Sequence, residues 1–524
     1  MQRTSRRASV LALVITAVVW ELVGRFELVG KGAFPPLSDI AHQFWIDRAD
    51  YPAHIAATVH EAALGFVYGN LIALVIAIVF VQVPFFERAS RGVVVSLFCL
   101  PLAVVAPVVG LAFDGMTPKV VLAALAVYFP TLTATTVGMR SVAPSQIDVV
   151  RSVGGSSFDV LRRLRLRSAL PGFLAGLRVA APGAMLGAML GEFLGGEHGL
   201  GVYLLGSLGQ ANAARLWDIG IVATIVATAF YGVFALVGTK VTGRTVDTTV
   251  STSISADLLA AGEVRGSTPI ARGAWRVGTT VISIAVALIA WLGFIRLSGL
   301  PPTLAKTPSD LWRYLVDVPA APDHRHALFG ALFHTMWVAA FGIVLGLAAA
   351  FLLATVLSLR PAIAAGMMPF AFISQTMPII ALVPIIALVF GRGLTSTLVI
   401  TVSVTFFPSF VAISQGLALA PRGAIDVLTS VAAKPWQILR KVSVPNALPY
   451  LFASARLAAP RALLGVILAE QFITRQGIGD LIGQARGELD YTIPWAVAAA
   501  VAIVSVLLYS GIGALEHRML RRRI

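Results

Sequence analysis

The sequence predicts an all-α polytopic membrane protein, built from two tandem six-helix repeats that run parallel to each other. Hydrophobic residues make up 57% of the 524 residues and charged residues only 12%, which is too little charge to cover the surface of a soluble protein of this length. Apolar stretches of roughly 20 residues recur along the chain, and a helix needs that length to cross a bilayer core. Alternation with the period of a strand is missing, so the pattern favours helices over a membrane barrel.

A duplicated motif divides the chain into two halves. Equivalent residues lie 278 positions apart, and this separation stays constant over a long stretch. The matched pairs are Pro171 and Pro449, Pro182 and Pro460, Glu192 and Glu470, and Gly201 and Gly479. A register held over that span indicates one ancestral unit written twice.

Hydrophobicity predicts six spanning helices in each half, about twelve in total. The predicted spans of the first half are 8–24, 59–82, 92–113, 118–138, 172–193 and 217–239. Those of the second half are 275–295, 335–358, 367–390, 394–416, 450–471 and 494–515. Residues between the halves are polar and rich in Thr, Ser and Gly, which is typical of a linker. We therefore predict a first domain at 1–239, a linker at 240–273 and a second domain at 274–524.

The net charge of +15 has two interpretations. A basic protein can bind nucleic acid, but in a membrane protein the excess is typical of the positive-inside bias. If the N-terminus is cytoplasmic, most of the 40 Lys and Arg residues fall on the cytoplasmic side or at cytoplasmic helix ends. We therefore expect a multi-pass protein that contacts lipid and no nucleic acid, with both termini in the cytoplasm. An even number of spans gives the two halves the same orientation.

Catalytic chemistry finds no support in the sequence. The single cysteine, Cys99, cannot form an intrachain disulfide. Neither a metal-ligand spacing nor a nucleophile constellation is present. The chain also lacks the G-x-x-x-x-G-K-[ST] run whose backbone cradles ATP phosphates. We expect no catalytic residue, no metal and no cofactor in this chain.

The longest predicted inner loop of each half joins its fourth and fifth spans, at residues 139–171 and 417–449. Phe158 and Leu161 in the first loop correspond to Trp436 and Leu439 in the second. At a spacing of three residues they share one face of a helix. Basic residues surround this apolar face, namely Arg162, Arg163, Arg440 and Lys441.

Each loop is predicted to hold a short amphipathic helix. Ser157 is placed to cap the first of these helices, and Pro435 suits the first turn of the second. Amphipathicity alone leaves two interpretations open. The helix could lie on the inner leaflet against lipid phosphates, or it could dock on a partner protein.

The spacing within both loops resembles the EAA loop of ABC-importer permeases, whose pattern is E-A-A-x3-G-x9-I-x-L-P. Asp148 and Gly154 take the places of the pattern's Glu and Gly in the first loop. Asp426 and Ala432 take those places in the second. The spacing fits in both copies, although several residues depart from the pattern, such as Ala432 for Gly.

More of the chain is similar to the sulfonate/nitrate/taurine type of that family, with two permease domains fused in one chain. The resemblance implies the type I ABC importer transmembrane fold in a bacterial cell membrane. It also implies that each loop carries a coupling helix that docks on one of two cytoplasmic ATPase subunits, which hold ATP and Mg. A substrate-binding protein on the outer side would deliver a small solute, such as a sulfonate, nitrate or taurine-like anion or a thiamine-precursor-like molecule.

The translocation pathway is predicted between the two halves. Paired prolines in the third spans allow kinks and free carbonyls beside a cavity, and Gln375 is a candidate polar group there. The prolines are Pro101 and Pro107 in the first half and Pro378 and Pro384 in the second. Glu192 and Glu470, at the outer ends of the fifth spans, are candidates for a gate. Their position near the interface favours a hydrogen-bonding or ion-pair role instead.

An ion-coupled secondary transporter with twelve helices is the alternative function. Such carriers usually have a Gly, Asp and Arg signature in the loop after the second helix, and residues 82–88 lack it. A carrier of that class would also not need two matched inner loops. A neighbouring ATPase gene would discriminate between the two classes.

Overall fold

A computed structural model describes residues 2–30, 32–208, 210, 212–242, 269–360, 363–364, 367, 371 and 374–521. Helices dominate this part of the chain. Nine of its helices are long and apolar enough to cross a membrane, and a bent pair adds a tenth if it counts as one span. Most of the predicted linker, residues 243–268, lies outside the described residues.

The described residues of the first half form ten helices. They are α1 (Gln2–Arg25), α2 (Leu37–Asp47), α3 (Tyr51–Gln82), α4 (Pro84–Cys99), α5 (Leu102–Ala112), α6 (Thr117–Arg140), α7 (Pro144–Ser152), α8 (Ser157–Glu192), α9 (Leu200–Leu208) and α10 (Ala213–Thr242).

The described part of the second half follows the same order. Its main helices are α11 (Pro269–Ser298), α12 (Pro308–Trp312), α13 (Ala321–Ser358), α14 (Ile379–Phe390), α15 (Leu394–Ala418), α16 (Arg422–Ser430), α17 (Pro435–Thr474), α18 (Gly477–Glu488) and α19 (Thr492–Arg521).

The predicted spans coincide with helices, at least in part, but the third span of the first half was predicted wrongly. A continuous helix over 92–113 was expected, and the chain instead forms α4 and α5 at an angle of 99°. The break falls at Pro101, whose extended backbone precedes α5. A proline lacks the N–H that a continuing helix needs and clashes with the preceding turn. Pro378 likewise directly precedes α14.

Each half packs its long helices through small residues. In the first half α6 lies between α3 and α8, and in the second half α15 lies between α13 and α17. A Cβ on Gly187 of α8 would come within 2.6 Å of the Ala123 Cα on α6. Such close approach maximises the van der Waals contact on which helix association in lipid depends.

The two halves are joined by helices that cross from one to the other. The first long helix of the second half, α11, packs on α4, where Ser283 Oγ donates to the Ala89 carbonyl at 3.2 Å. On the other side α10 packs on α14, and the hydroxyls of Thr228 and Thr376 lie 2.8 Å apart. A space between the halves is therefore enclosed by helices from both.

Candidate functional site

Two matched turns project from the same end of the bundle. In each, a nine-residue helix (α7 or α16) leads through a tight turn into a long span (α8 or α17). We call residues 144–165 and 422–443 the paired turns. The tight turn has a left-handed backbone at Gly154 (φ 80°) and Ala432 (φ 55°). Glycine adopts this conformation without strain, whereas alanine does not.

The start of α8 is capped by Ser156, one residue before the cap that the sequence predicted at Ser157. Ser156 Oγ accepts from the Asp159 N–H at 3.2 Å, and Asp159 Oδ2 accepts from the Ser156 N–H at 3.0 Å. This reciprocal pair forms a capping box. In the second half Pro435 lies in the first turn of α17, as predicted.

The predicted apolar face of the loops divides into exposed and buried residues. Phe158 and Trp436 are 65% and 58% exposed. Leu161 and Leu439 are instead buried in the cores of their own halves, so the prediction that they form a docking face with the aromatics is wrong. A π-helical turn at Leu161–Arg165 and at Leu439–Ser443 separates the exposed start of each span from its buried remainder.

A valine pair completes each exposed surface. The six exposed apolar side chains, which we call the turn patches, are Val149, Val153 and Phe158 in the first half and Val427, Val431 and Trp436 in the second. Every member lies 278 positions from its equivalent. Exposed charged side chains surround the turn patches, namely Asp148, Arg162, Arg163, Asp426, Arg440 and Lys441.

A cavity of about 420 Å³ lies between the two halves. Its wall is formed by α4, α5, α6, α8 and α10 from the first half and by α14, α15, α17 and residues 374–378 from the second. Apolar side chains predominate, and the polar contributions include Gln375, Ser409 and Tyr231. A mostly apolar cavity with a few polar groups is typical of a small-molecule site.

The predicted pathway residues divide between this cavity and the surrounding core. Pro101, Pro378 and Gln375 line it. Pro107 and Pro384 are buried within α5 and α14 and take no part in its wall. The breaks in the third spans, rather than prolines within continuous helices, therefore shape the cavity.

Glu192 is buried at the opposite end of the bundle from the turn patches. Thr58 Oγ1 of α3 donates to Glu192 Oε1 at 2.6 Å and accepts from the Leu200 N–H at 2.8 Å. The Gly201 N–H donates to Glu192 Oε2 at 2.5 Å. The hydrogen bonds of this carboxylate and of Thr58 thus hold the first residues of α9 against two spanning helices.

Glu470 makes the same arrangement in the second half. Thr335 Oγ1 of α13 donates to the Glu470 carboxylate at 2.8 Å and accepts from the Ile478 N–H at 3.0 Å. The Gly479 N–H donates to Glu470 Oε2 at 3.1 Å, and His334 Nδ1 lies 3.2 Å from Oε1. Neither glutamate lines the cavity between the halves.

Sequence reasoning missed several residues at these places. Thr58 and Thr335 are 277 positions apart, as are Pro101 and Pro378, so the repeat itself could have identified them. The turn-patch valines are also matched, but a valine in an apolar chain carries no signal of exposure. Arg461 was not selected as a site residue either, and it lies deep within α17.

The fold and these sites define a polytopic helical membrane protein with a duplicated unit, a central cavity and paired turns at one end. Two ranges of the chain, 69–244 and 342–521, each match the family described as binding-protein-dependent transport system inner membrane component. Together they cover more than half of the chain. The chain belongs to that family, and it contains the family's domain twice.

Each of three relatives matches less than half of this chain. It is 35% identical over 148 residues to a riboflavin transport system permease protein of Chloroflexus aurantiacus, a match that covers 28% of this chain and 55% of that protein. It is 25% identical to a formylaminopyrimidine transport permease protein of Halalkalibacterium halodurans over 44% of this chain and 91% of that protein. It is 24% identical to a taurine transport system permease protein of Escherichia coli, over 47% of this chain and 89% of that protein.

Proposed function

We propose that this chain forms the translocation pathway of an ATP-driven importer, with both permease domains in one polypeptide. The turn patches dock on two cytoplasmic ATPase subunits, which hydrolyse ATP outside this chain. A substrate-binding protein delivers the solute at the opposite end, and the solute passes through the cavity between the halves. The solute is a small molecule such as a sulfonate, nitrate or taurine-like anion, or a thiamine-precursor-like molecule.

The observation that carries this proposal is the exposure of six matched apolar side chains on the paired turns. Exposed aromatic side chains surrounded by charges are typical of a protein–protein anchor. The paired turns also continue directly into α8 and α17, which line the cavity, so docking there is mechanically connected to the pathway.

The orientation follows from charge. Arg162, Arg163, Arg440 and Lys441 are exposed on the paired turns, and the positive-inside bias supports a cytoplasmic position for that end of the bundle. Both termini then lie on the cytoplasmic side as well. The glutamate-anchored turns face outward, towards the binding protein.

Purification of the tagged chain from its native membrane tests the proposal. We expect an ABC ATPase to co-purify at two copies per chain, identified by mass spectrometry. Phe158→Ala and Trp436→Ala together should weaken its association by roughly 30-fold, because an aromatic anchor contributes about 2 kcal/mol to such an interface.

Matched controls come from aromatic side chains on the lipid-facing surface of α13. Phe333→Ala and Trp337→Ala remove side chains that are 75% and 66% exposed, and they should leave the ATPase bound. Retention of the ATPase by the Phe158 and Trp436 double variant would contradict the docking assignment. Measuring the two docking variants singly shows whether the halves bind ATPase unequally, as the difference between Gly154 and Ala432 leads us to expect.

A further inference from the structure

Arg461 lies in the middle of a membrane span. It is 26 residues after the start of α17 at Pro435 and 13 residues before its end at Thr474. At 1.5 Å per residue, the nearer end of the helix is about 20 Å away. The helix around it is apolar, so the guanidinium cannot be explained as an interfacial charge.

This guanidinium has no counter-ion among the residues that the structure describes. Two other arginines at similar depth are accommodated by aromatic rings: Arg178 lies 4.5 Å from the ring centre of Tyr231, and Arg456 lies 4.8 Å from that of Tyr509. Arg456 also pairs with a carboxylate 3.1 Å away. No ion pair or hydrogen bond to a described residue balances Arg461 in the same way. A cation without a counter-ion at this depth destabilises a membrane protein, and such residues mark functional sites.

The side chain lines the cavity between the halves. Arg461 is the one charged residue among the described residues of the cavity wall. A cavity of about 420 Å³ therefore has one unbalanced positive charge in its wall.

The charge belongs to one half only. The residue equivalent to Arg461 in the first half is Gly183, which lines the cavity without a side chain. Duplication would have produced two cations facing each other across the cavity, and their repulsion in a low dielectric would be severe. The asymmetry gives the cavity one positively charged side, and so one binding position for a negative group.

We propose that Arg461 forms an anion-binding site in this cavity, and that the site selects a small organic anion as the transported solute. This inference rests on the proposed function at one point, which is that the cavity is the translocation pathway. An anionic group would balance the guanidinium in a charge-assisted hydrogen bond, while the apolar wall would contact the rest of the solute. In the empty site the guanidinium has no counter-ion, which favours binding of an anion.

Binding of methanesulfonate to the purified full chain in phosphatidylcholine nanodiscs tests this site without the ATPase or the binding protein. Dimethyl sulfone is the matched neutral probe, because it has nearly the same shape and no charge. We expect equilibrium dialysis to show methanesulfonate binding at millimolar concentration and at least tenfold weaker binding of dimethyl sulfone.

Three variants complete the test. Arg461→Met should weaken methanesulfonate binding at least tenfold and leave thermal stability unchanged or raised, whereas Arg461→Lys should retain binding within a few-fold. Arg178→Met removes an arginine from the equivalent helix of the first half, outside the cavity wall, and should bind as the wild type does. Equal binding by wild type and Arg461→Met, equal binding of the two probes, or no binding of methanesulfonate would overturn the proposal. Failure of the proposed function would show separately, as an absence of co-purified ATPase.

Discussion

The carboxylate of Glu470 occupies the space that a Cβ atom on residue 477 would need, so only glycine fits at Gly477. The backbone of Gly477 is also left-handed, with φ 70°. In the first half the carboxylate of Glu192 fills the corresponding space beside Gly199. The first glycine of the repeated Gly-x-Gly motif therefore leaves room for the carboxylate of the buried glutamate.

Gly477→Ala should destabilise the protein by at least about 2 kcal/mol. The left-handed backbone alone accounts for about 1 kcal/mol with a Cβ present, and displacement of the buried carboxylate leaves it without its hydrogen bonds. Thermal unfolding in detergent measures the change. Gly483→Ala is the control, because Gly483 lies in α18 with open space around it. That variant should be neutral or stabilising by about 0.5 kcal/mol, and a similar loss in both variants would contradict the explanation.

Leu439→Ala and Trp436→Ala should differ in their effects on stability, although the two residues are three positions apart. Leu439 is buried, so its truncation should lower the free energy of unfolding by about 3 kcal/mol. Trp436 is exposed, and its truncation should change that free energy by less than about 0.5 kcal/mol. Chemical or thermal unfolding of the isolated chain measures both. Comparable losses would mean that Trp436 packs in the core of the protein.

Ala432→Gly and Gly154→Ala should change stability with opposite signs. Both positions have a left-handed backbone, which costs a residue with a Cβ about 1–2 kcal/mol. Ala432→Gly removes this cost, but the greater conformational freedom of glycine in the unfolded chain offsets part of the stabilisation. We expect Ala432→Gly to stabilise by about 0.5 kcal/mol and Gly154→Ala to destabilise by about 1 kcal/mol. Stabilisation by Gly154→Ala would show that the first turn relaxes to a different backbone conformation.

Asp47 should make stability depend on pH in the acid range. Burial raises the pKa of its carboxyl, but hydrogen bonds from Arg215 and Gln43 outweigh this effect and hold the pKa below the ordinary value of 3.8. Arg215 binds both carboxylate oxygens at 2.7 Å. A lowered pKa contributes stability that is present above pH 3.8 and is lost as the pH falls through the lower folded value.

Asp47→Asn should therefore cost about 3 kcal/mol near neutral pH, because it leaves Arg215 without its carboxylate. The difference between wild type and variant should shrink as the pH is lowered below 3.8. Thermal unfolding across pH 3 to 7 measures that difference. Groups that titrate equally in wild type and variant do not contribute to it. A difference that stays constant across this range would show that Asp47 stabilises through packing alone.

The repeat made much of the fold predictable, because matched residues of the two halves lie 277 or 278 positions apart. The spans could also be predicted, because the thickness of the bilayer requires about 20 apolar residues in each. The break at Pro101 was harder to predict, because a proline in a membrane span can either kink a helix or end it. Which one occurs depends on the neighbouring helices rather than on local sequence.

The paired turns lie within the two loops that the sequence singled out, but the short helix predicted there is the start of a long span, and its exposed surface was predicted wrongly. Spacing placed Phe158 and Leu161 on one helical face, and this inference assumes a regular α-helix that is exposed along that face. The π-helical turn starting at Leu161 changes the register, and the core beside α6 buries that leucine. Burial is a property of the packed half, so periodicity in a single loop could not distinguish the two residues.

A single helix connects the exposed aromatic of the first paired turn with the buried glutamate at the far end. Phe158 is the second residue of α8, and Glu192 is its last, about 51 Å away at 1.5 Å per residue. The start of α9 is bound to that last residue by a hydrogen bond from the N–H of Gly201. A rotation of α8 about its axis would therefore move Phe158 and Glu192 together.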